Sequence, residues 1–541
     1  MTATAINQPE STQEKQSISV PELLKERLGE ARLRELVSRV TLGTGPRDKV
    51  AGEAPFTAEA IIEIPLCTAD DVALAAQKAR QAQIAWAATP YRERAKIFLR
   101  YHDLVLKKQQ ECLDVIQLET GKARRHAFEE NLDVAIVCRH YAHHGQHALS
   151  PQRRRGALPL LTATWELHPP LGLIGFIAPW NYPLTLAITD TIPALLAGNG
   201  VVLKPDQQTP LTALWAVDLL YQAGLPKDLF QVVTGRGRDL GTPLIQHVDL
   251  ICFTGSTATG RIIAKQAGER LIGCSLELGG KNPLIILNDA DISRAVEGSI
   301  RACFSNTGQL CISCERLFVD RGIWEPFVEQ FSERVRNLKL GADLDLATEM
   351  GSMASKAQFE KTREHVEEAK KRGARILAGG RARPDLGPYF FEPTVMDGVT
   401  PEMSVCAEET FGPVVSAYRF DNEDEMVARA NDTNYGLNAS IWTQDTTRGR
   451  ALATRIQTGT VNVNEGYAAT WASVDAPMGG FKESGLGRRH GNQGILKYTQ
   501  AQTISVQRFL PIAAPSNVSE AWYERSMTFL VGMLRHVPGI R

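Results

Sequence analysis

Apolar positions along this chain change their period in a regular order. Residues Asp71 to Trp86 carry Val72, Ala75, Ala79 and Ala82 at helical spacing, and Tyr91 to Glu119 continue a helical pattern. Short apolar runs follow at Leu173 to Ala178, Gly200 to Leu203 and Leu250 to Phe253. Each ends in a turn signal and leads into a helical stretch, such as Ala187 to Ala197 or Leu211 to Ala223. Short buried strands alternating with helices predict parallel βαβ units, because such strands are covered on both faces. A second series follows Asn282, with Leu284 to Leu287, Arg316 to Val319, Val414-Val415 and Thr460 to Val463. The pattern predicts two α/β domains, with no internal repeat and no low-complexity tract.

The two ends read differently. Met1 to Ser19 is polar and lacks the apolar stretch of a secretory signal, which predicts a disordered leader. Ser519 to Val537 carries Trp522, Met527, Phe529, Leu530, Val531, Met533 and Leu534, with Arg525, Arg535 and His536 among them. This predicts an amphipathic helix whose broad apolar face either packs on its own domain or a subunit neighbour, or lies on a membrane surface. No run of 18 apolar residues predicts a spanning helix.

Composition narrows the class. At 541 residues the chain has room for about two to four domains. A net charge of −1 gives no sign of a nucleic-acid partner. Nine cysteines, an odd number without short-spaced pairs in series, predict reduced thiols in a cytosolic compartment.

Candidate chemistry lies at the strand ends. Ser305-Asn306-Thr307-Gly308-Gln309-Leu310-Cys311 places a cysteine just after a Gly-Gln turn, and Leu276-Glu277-Leu278-Gly279-Gly280-Lys281 puts a glutamate 34 residues upstream. A thiol attacking a carbonyl must be reachable and able to ionise, and a later hydrolytic step needs a carboxylate to activate water. Cys311 and Glu277 can supply those roles. Pro179-Trp180-Asn181-Tyr182-Pro183 is either a proline-punctuated strand end or the source of a side-chain amide, Asn181, for a developing oxyanion. Lys204 closes the next strand. Phe253-Thr254-Gly255-Ser256 opens a helix whose start could meet a phosphate, though it is not a GxGxxG fingerprint. Glu409-Thr410-Phe411-Gly412-Pro413 reads equally as a plain turn.

Taken in order and spacing, these motifs resemble the aldehyde dehydrogenase superfamily over roughly residues 45 to 510. The resemblance implies an α/β fold: a Rossmann-type dinucleotide-binding domain (45–147 and 170–279), an α/β catalytic domain (280–490) and a small β oligomerisation arm (148–169 and 491–511). A partly disordered leader (1–44) and the C-terminal amphipathic helix (512–541) flank them. It implies Cys311 as nucleophile, Glu277 as base, and Asn181 with the Cys311 backbone N–H as oxyanion hole. The implied cofactor is NADP or NAD, with Lys204 at the adenosine ribose, Gly255 and Ser256 at the pyrophosphate, and Glu409, Phe411 and Trp180 at the nicotinamide end. Thiolate attack would give a thiohemiacetal, hydride would pass to the nicotinamide, and Glu277 would drive hydrolysis of the thioester. The implied partners are a small-molecule aldehyde and further copies of the chain, as a homodimer or homotetramer.

Within that family the stretches Lys204 to Pro210, Val461 to Tyr467 and Gly487 to Gly491 look most like bacterial succinate-semialdehyde dehydrogenases. The position three beyond Lys204, commonly Glu in NAD-preferring relatives, is Gln207, so NADP should be accepted. The two positions that carry carboxylate-binding arginines in such enzymes align with Thr189 and Ser305, both neutral. Tyr182, Tyr467 and Trp471 instead imply an apolar mouth suited to medium-chain or aromatic aldehydes. Other readings remain beside these. Cys311-Ile312-Ser313-Cys314 is a CxxC, open to zinc or dithiol chemistry or to trapping Cys311 as a disulfide. His140, His143, His144 and His147 could share a helix face, as metal ligands or as a solvated surface. A catalytically silent scaffold would keep the same fold.

Overall fold

The computed structural model describes residues 19–156, 161–508 and 512–536. The leader up to residue 18 lies outside them. Two helices, Val20–Leu28 and Glu30–Val37, precede the first predicted element, and their Leu24, Leu33 and Leu36 are buried in the first core.

The first sheet has six strands in the spatial order Gly485–Leu486, Gly273–Glu277, Leu250–Thr254, Leu173–Ile177, Gly200–Lys204 and Phe230–Val232. All pair in parallel except Gly485–Leu486, which runs antiparallel against Glu277 and Leu276. Every residue of Leu173–Ile177 and Gly200–Lys204 is buried, as helices on both faces require. The chain starts at Leu173–Ile177, steps outward to Phe230–Val232, then returns to the other side at Leu250–Thr254. That reversal leaves a crevice beyond the carboxyl ends of the two central strands, where ligands of such sheets bind. Trp180-Asn181 and Gly255-Ser256 follow those two strand ends directly.

The second sheet has seven strands, with Asn282–Ile286 between Cys314–Asp320 and Ser440–Trp442, and Val414–Phe420 and Thr394–Asp397 further out. It is parallel except for the edge strand Arg375–Ala378. A separate three-stranded antiparallel sheet joins Gln152–Arg155, Thr162–Leu167 and Gln502–Gln507. The α/β class read from the apolar period is therefore what the chain adopts. Three details differ. The stretch Tyr91 to Glu119 breaks into Tyr91–Lys107 and Gln109–Thr120, with Lys108 outside helical geometry at ψ 21°. Ala187 to Ala197 is two short helices, Pro183–Ile188 and Thr191–Leu196. The strands Arg375–Ala378, Thr394–Asp397 and Ser440–Trp442 carry apolar runs too short to stand out.

Between helix Ile292–Phe304 and Cys311 the backbone passes through three left-handed residues in a row: Asn306 (φ 50°), Thr307 (φ 58°) and Gly308 (φ 69°). Such positions cost free energy for side-chain residues and persist only where neighbours hold them. Asn306 is held by its Nδ2, which donates to the carbonyls of Asn181 and Gln309, both at 3.0 Å. At Gly308 an added Cβ would stand 2.1 Å from the backbone oxygen of Gly412, which cannot swing aside. We therefore expect Gly308→Ala to destabilise the protein by on the order of 2–4 kcal/mol and to cut turnover sharply. Denaturant unfolding checks the first and an initial-rate assay the second; an unshifted midpoint would show that the loop relaxes freely.

Candidate active site

A cavity of about 200 Å³ opens between the two sheets. Its walls include Cys311, Glu277 and Asn181, three residues from separate stretches of chain. Trp180, Gly255 and Ser256 line it from the first sheet, and Glu409 and Phe411 from the second. Eight of the ten residues singled out in the sequence thus share one space. The other two, Lys204 and Gln207, lie one strand further along the first sheet, at and just past the end of Gly200–Lys204.

Asn181 sits in a tight frame. Its Nδ2 donates to the Gln309 carbonyl at 3.1 Å, which leaves its second N–H for another acceptor. Its own carbonyl accepts from Lys122 Nζ at 2.6 Å and Asn306 Nδ2 at 3.0 Å. Lys122 is fully buried and pairs with Glu130 at 2.5 Å; Glu130 in turn accepts from the N–H groups of Leu184 and Thr185. On the far side of Cys311, Asn282 Nδ2 donates to the Cys311 carbonyl at 2.8 Å and the Ser313 carbonyl at 2.7 Å. Motif reading missed Lys122, Glu130 and Asn282. The run Glu119-Thr120-Gly121-Lys122 was the available signal, since a lysine beside a left-handed glycine (φ 74°) marks a helix end that can turn inward.

Three titrating groups of the cavity, Cys311, Glu277 and Glu409, are displaced toward their neutral forms. Burial, with the Glu277 and Glu409 carboxylates added, pushes the Cys311 thiol up to about 12. Burial raises Glu277 to about 7, and Arg489 and Lys497 oppose that rise. Burial and the nearby Glu315 raise Glu409 to about 7, although Gly280 N–H donates to its Oε1 at 2.8 Å. Glu277 lines the cavity, and among the described residues its buried Oε1 has no hydrogen-bond partner, which leaves that oxygen's lone pairs unclaimed.

The dinucleotide expected from the sequence fits these residues. Ser256 caps a 13-residue helix, Thr257–Glu269, whose start lies at the crevice. Lys204 is 3% exposed, burial lowers its pKa, and among the described residues its Nζ has no ion-pair or hydrogen-bond partner. Its Nζ would stand 4.0 Å from a Cβ at Gly237, at the start of helix Gly237–His247. An unpaired buried ammonium beside a helix start suits a phosphate-bearing ligand. Trp180 and Phe411 meet edge to face, with centroids 5.5 Å apart.

Three other readings resolve locally. Cys314 begins the strand beside Asn282–Ile286 and is fully buried, its Sγ 3.7 Å from the Pro283 carbonyl. His140 and His144 stack at 5.1 Å, and His144 Nδ1 lies 3.0 Å from the His140 carbonyl. Among the described residues no group of three or more His, Cys, Asp and Glu is placed to hold a metal. Thr189 is buried, and its hydroxyl donates to the Thr185 carbonyl and accepts from Arg489 at 2.6 Å.

Comparison with known proteins identifies the family. The sequence pattern of the aldehyde dehydrogenase family matches residues 44–504. A Mycolicibacterium smegmatis protein named "Putative succinate-semialdehyde dehydrogenase (NADP+)" is 49% identical over 94% of this chain and 98% of its own. A Mesorhizobium japonicum betaine aldehyde dehydrogenase is 38% identical over 84% of this chain and 93% of its own. Among solved structures, a Burkholderia pseudomallei succinate-semialdehyde dehydrogenase superposes with TM-score 0.81 at 33% identity, covering 85% of this chain and 95% of that one. The NAD+ complex of a Bacillus cereus aldehyde dehydrogenase gives TM-score 0.80 at 34% identity, over 85% and 93%. The chain belongs to the aldehyde dehydrogenase family, and it oxidises an aldehyde to its carboxylic acid with NAD(P)+.

Proposed function

We propose that Cys311 is the nucleophile, Glu277 the base and Asn181, with the Cys311 backbone N–H, the oxyanion hole. The shared cavity carries this reading. A thiol held near 12 is almost wholly protonated at neutral pH, so attack needs a proton acceptor. Glu277, held near 7 with a free Oε1, can take that proton and later activate the hydrolytic water. Asn181 directs its spare N–H at the oxygen of the thiohemiacetal, and its tight frame means little rearrangement at that moment. Trp180, Gly255, Ser256, Glu409 and Phe411 would hold the nicotinamide and pyrophosphate of the cofactor, which supplies the hydride acceptor. Lys204 would meet the adenosine ribose, with Gln207 beside it.

The substrate we propose is an aldehyde whose tail carries no anionic group and lies against an apolar mouth. Cys311 lies in one apolar cluster with Tyr182, Leu310, Ile312, Tyr467 and Met478, and Trp471 packs on its edge. A second reading, succinate semialdehyde, draws support from the relatives' names and from Arg301, which lies one helical turn before Ser305 and adjoins the Tyr467 hydroxyl.

We also propose that the three-stranded sheet joins subunits of a homodimer or homotetramer. Ile504 and Val506 on its outer strand are exposed. The helix Glu520–Leu534 has no buried residue, and Trp522 (62%), Phe529 (73%) and Val531 (59%) stand out from it. Among the described residues nothing buries its apolar face. A membrane surface is the occupant we propose, and a subunit neighbour is the alternative. Among the described residues no helix is long and apolar enough to cross a membrane.

Three predictions follow from these roles. Cys311→Ala should abolish turnover, while Cys314→Ala keeps much of it. Glu277→Gln should slow deacylation by about 100-fold or more and leave a pre-steady-state burst of reduced cofactor. In the native enzyme the deacylation rate should climb as pH rises through about 7, where Glu277 loses its proton. Equal losses for the two cysteine variants, or a Glu277→Gln enzyme without a burst, would contradict the assignment.

For the cofactor, Gln207→Glu should penalise NADP relative to NAD by about 1–3 kcal/mol, through like-charge repulsion near the 2′-phosphate. An unchanged ratio of kcat/KM would place Gln207 away from the ribose.

For the helix, truncation after Pro515 should leave activity on a short soluble aldehyde and remove co-sedimentation with liposomes. Full-length protein that ignores anionic liposomes at low salt, together with a truncation that lowers the oligomer size on a sizing column, would assign the helix to a subunit contact.

A further inference from the structure

One carboxylate near the reacting thiol has no part in the chemistry above. Glu129 sits on helix Arg124–Leu149, and both of its oxygens lie 3.0 Å from the Tyr467 hydroxyl; Oε2 is also 3.5 Å from the Tyr182 hydroxyl. The rings of those two tyrosines pack in the same apolar cluster as Cys311. Glu129 therefore stands behind the wall that a bound aldehyde would lie against.

The charges around it can be counted in pairs. Lys122 lies 3.9 Å from the centroid of the Tyr182 ring, but its charge is matched by Glu130 at 2.5 Å. Arg301 adjoins Tyr467, but Glu465 lies 3.5 Å from its guanidinium. No Lys, Arg or His among the described residues pairs with Glu129 itself; its only hydrogen-bond partners are the two tyrosine hydroxyls. Of the three carboxylates Glu129, Glu130 and Glu465, Glu129 is therefore the one without a cation of its own.

We propose that Glu129 reads the far end of the aldehyde, disfavouring a tail that ends in a carboxylate and favouring one that ends in a cation. This rests on the reading of Cys311 as nucleophile and of the apolar cluster around it as the mouth. Like charges brought together in a partly desolvated space repel strongly, and Arg301, already engaged by Glu465, is a poor partner for a second carboxylate. A cationic tail gains the attraction of the Glu129 charge, held just behind the Tyr467 and Tyr182 hydroxyls. Burial raises Glu129 to about 7, with Arg301 and Lys122 opposing and Glu130 adding to the rise. Its charge, and the preference it creates, should therefore be complete above that pH and fade below it.

The test uses matched aldehydes that differ in charge and little in shape. 4-Trimethylammoniobutanal is compared with its neutral isostere 5,5-dimethylhexanal, and succinate semialdehyde with its methyl ester. Ratios of kcat/KM within each pair cancel any general loss of activity in a variant. The native enzyme should favour the ammonium aldehyde over its isostere by about tenfold at pH about 8.5, and by less at pH about 6. Neither of those two aldehydes titrates, so a pH-dependent ratio reports the protein. In Glu129→Gln the first ratio should fall about tenfold and lose its pH dependence, and succinate semialdehyde should gain on its ester by about fivefold or more. Ratios that match between the native enzyme and Glu129→Gln would overturn the proposal, as would a native ratio that does not change with pH. A native enzyme that prefers succinate semialdehyde to its ester by about tenfold would instead overturn the apolar-mouth reading beneath it. The two failures are thus told apart.

Discussion

The geometry around Cys311 depends on a fully buried ammonium. Lys122 reaches from the turn after helix Gln109–Thr120 to the Asn181 carbonyl and the Glu130 carboxylate. Glu130 closes the circuit by accepting the first N–H groups of helix Pro183–Ile188, so one ion pair fixes both the strand end and the helix that follows it. A buried pair is weak evidence of net stability, because desolvation offsets much of the attraction. Removing one partner is another matter, costing about 3–5 kcal/mol, since the remaining charge is stranded. The pair therefore specifies where Asn181 stands more than it stabilises the fold. Lys281 and Glu315 repeat the device on the second sheet. That pair is also buried, at 2.5 Å, and Glu315 accepts the N–H groups of Thr410 and Phe411.

Those two pins allow the cavity between them to be unfavourable for charge. Thiol, Glu277 and Glu409 are each pushed toward the neutral form by burial, and the thiol also by the two carboxylates. A resting site with a protonated thiol is protected from oxidation, because the thiolate is the reactive form. The same displacement makes Glu277 a stronger base than a solvated glutamate, poised near neutrality, where proton transfer in both directions is fast. Arg489 moderates this. Buried beside Asp190 and Thr189, it is the first of the groups opposing the rise of Glu277. The pH response of the site is thus set by charges that never touch the reacting atoms.

How much of this could be read from the chain depends on how local each signal is. Strand and helix alternation is a short-range pattern, so the α/β class was legible, while Cys311 and Glu277 stood out by the short motifs around them, Gly308-Gln309 before the one and Gly279-Gly280 after the other. Lys122 and Asn181 are 59 residues apart, and nothing between them indicates that they meet. The break at Lys108 carries neither Gly nor Pro, so the helical period runs through it unmarked. The left-handed pair Asn306-Thr307 was equally silent, because tertiary hydrogen bonds rather than residue type hold it. Thr189 shows the limit of position-by-position likeness. The resemblance implies a substrate-binding arginine at its position in some relatives, yet its hydroxyl accepts from Arg489, a residue 300 positions away.

The aldehyde mouth brings these threads together. An anionic tail needs a cation that is both near and unpaired, and Lys122, Arg301 and Arg489 each have a carboxylate beside them. Lys122 cannot be released without freeing the Asn181 loop, so its charge is committed to catalysis rather than to recognition. Arg301 is half exposed and held only loosely at 3.5 Å, so it could be recruited, but only against the unpaired Glu129 behind Tyr467. Specificity in this enzyme is then a question of which carboxylate wins Arg301. Because Glu465 and Glu129 are fixed to the protein and a substrate must give up its freedom to compete, the balance lies with the protein.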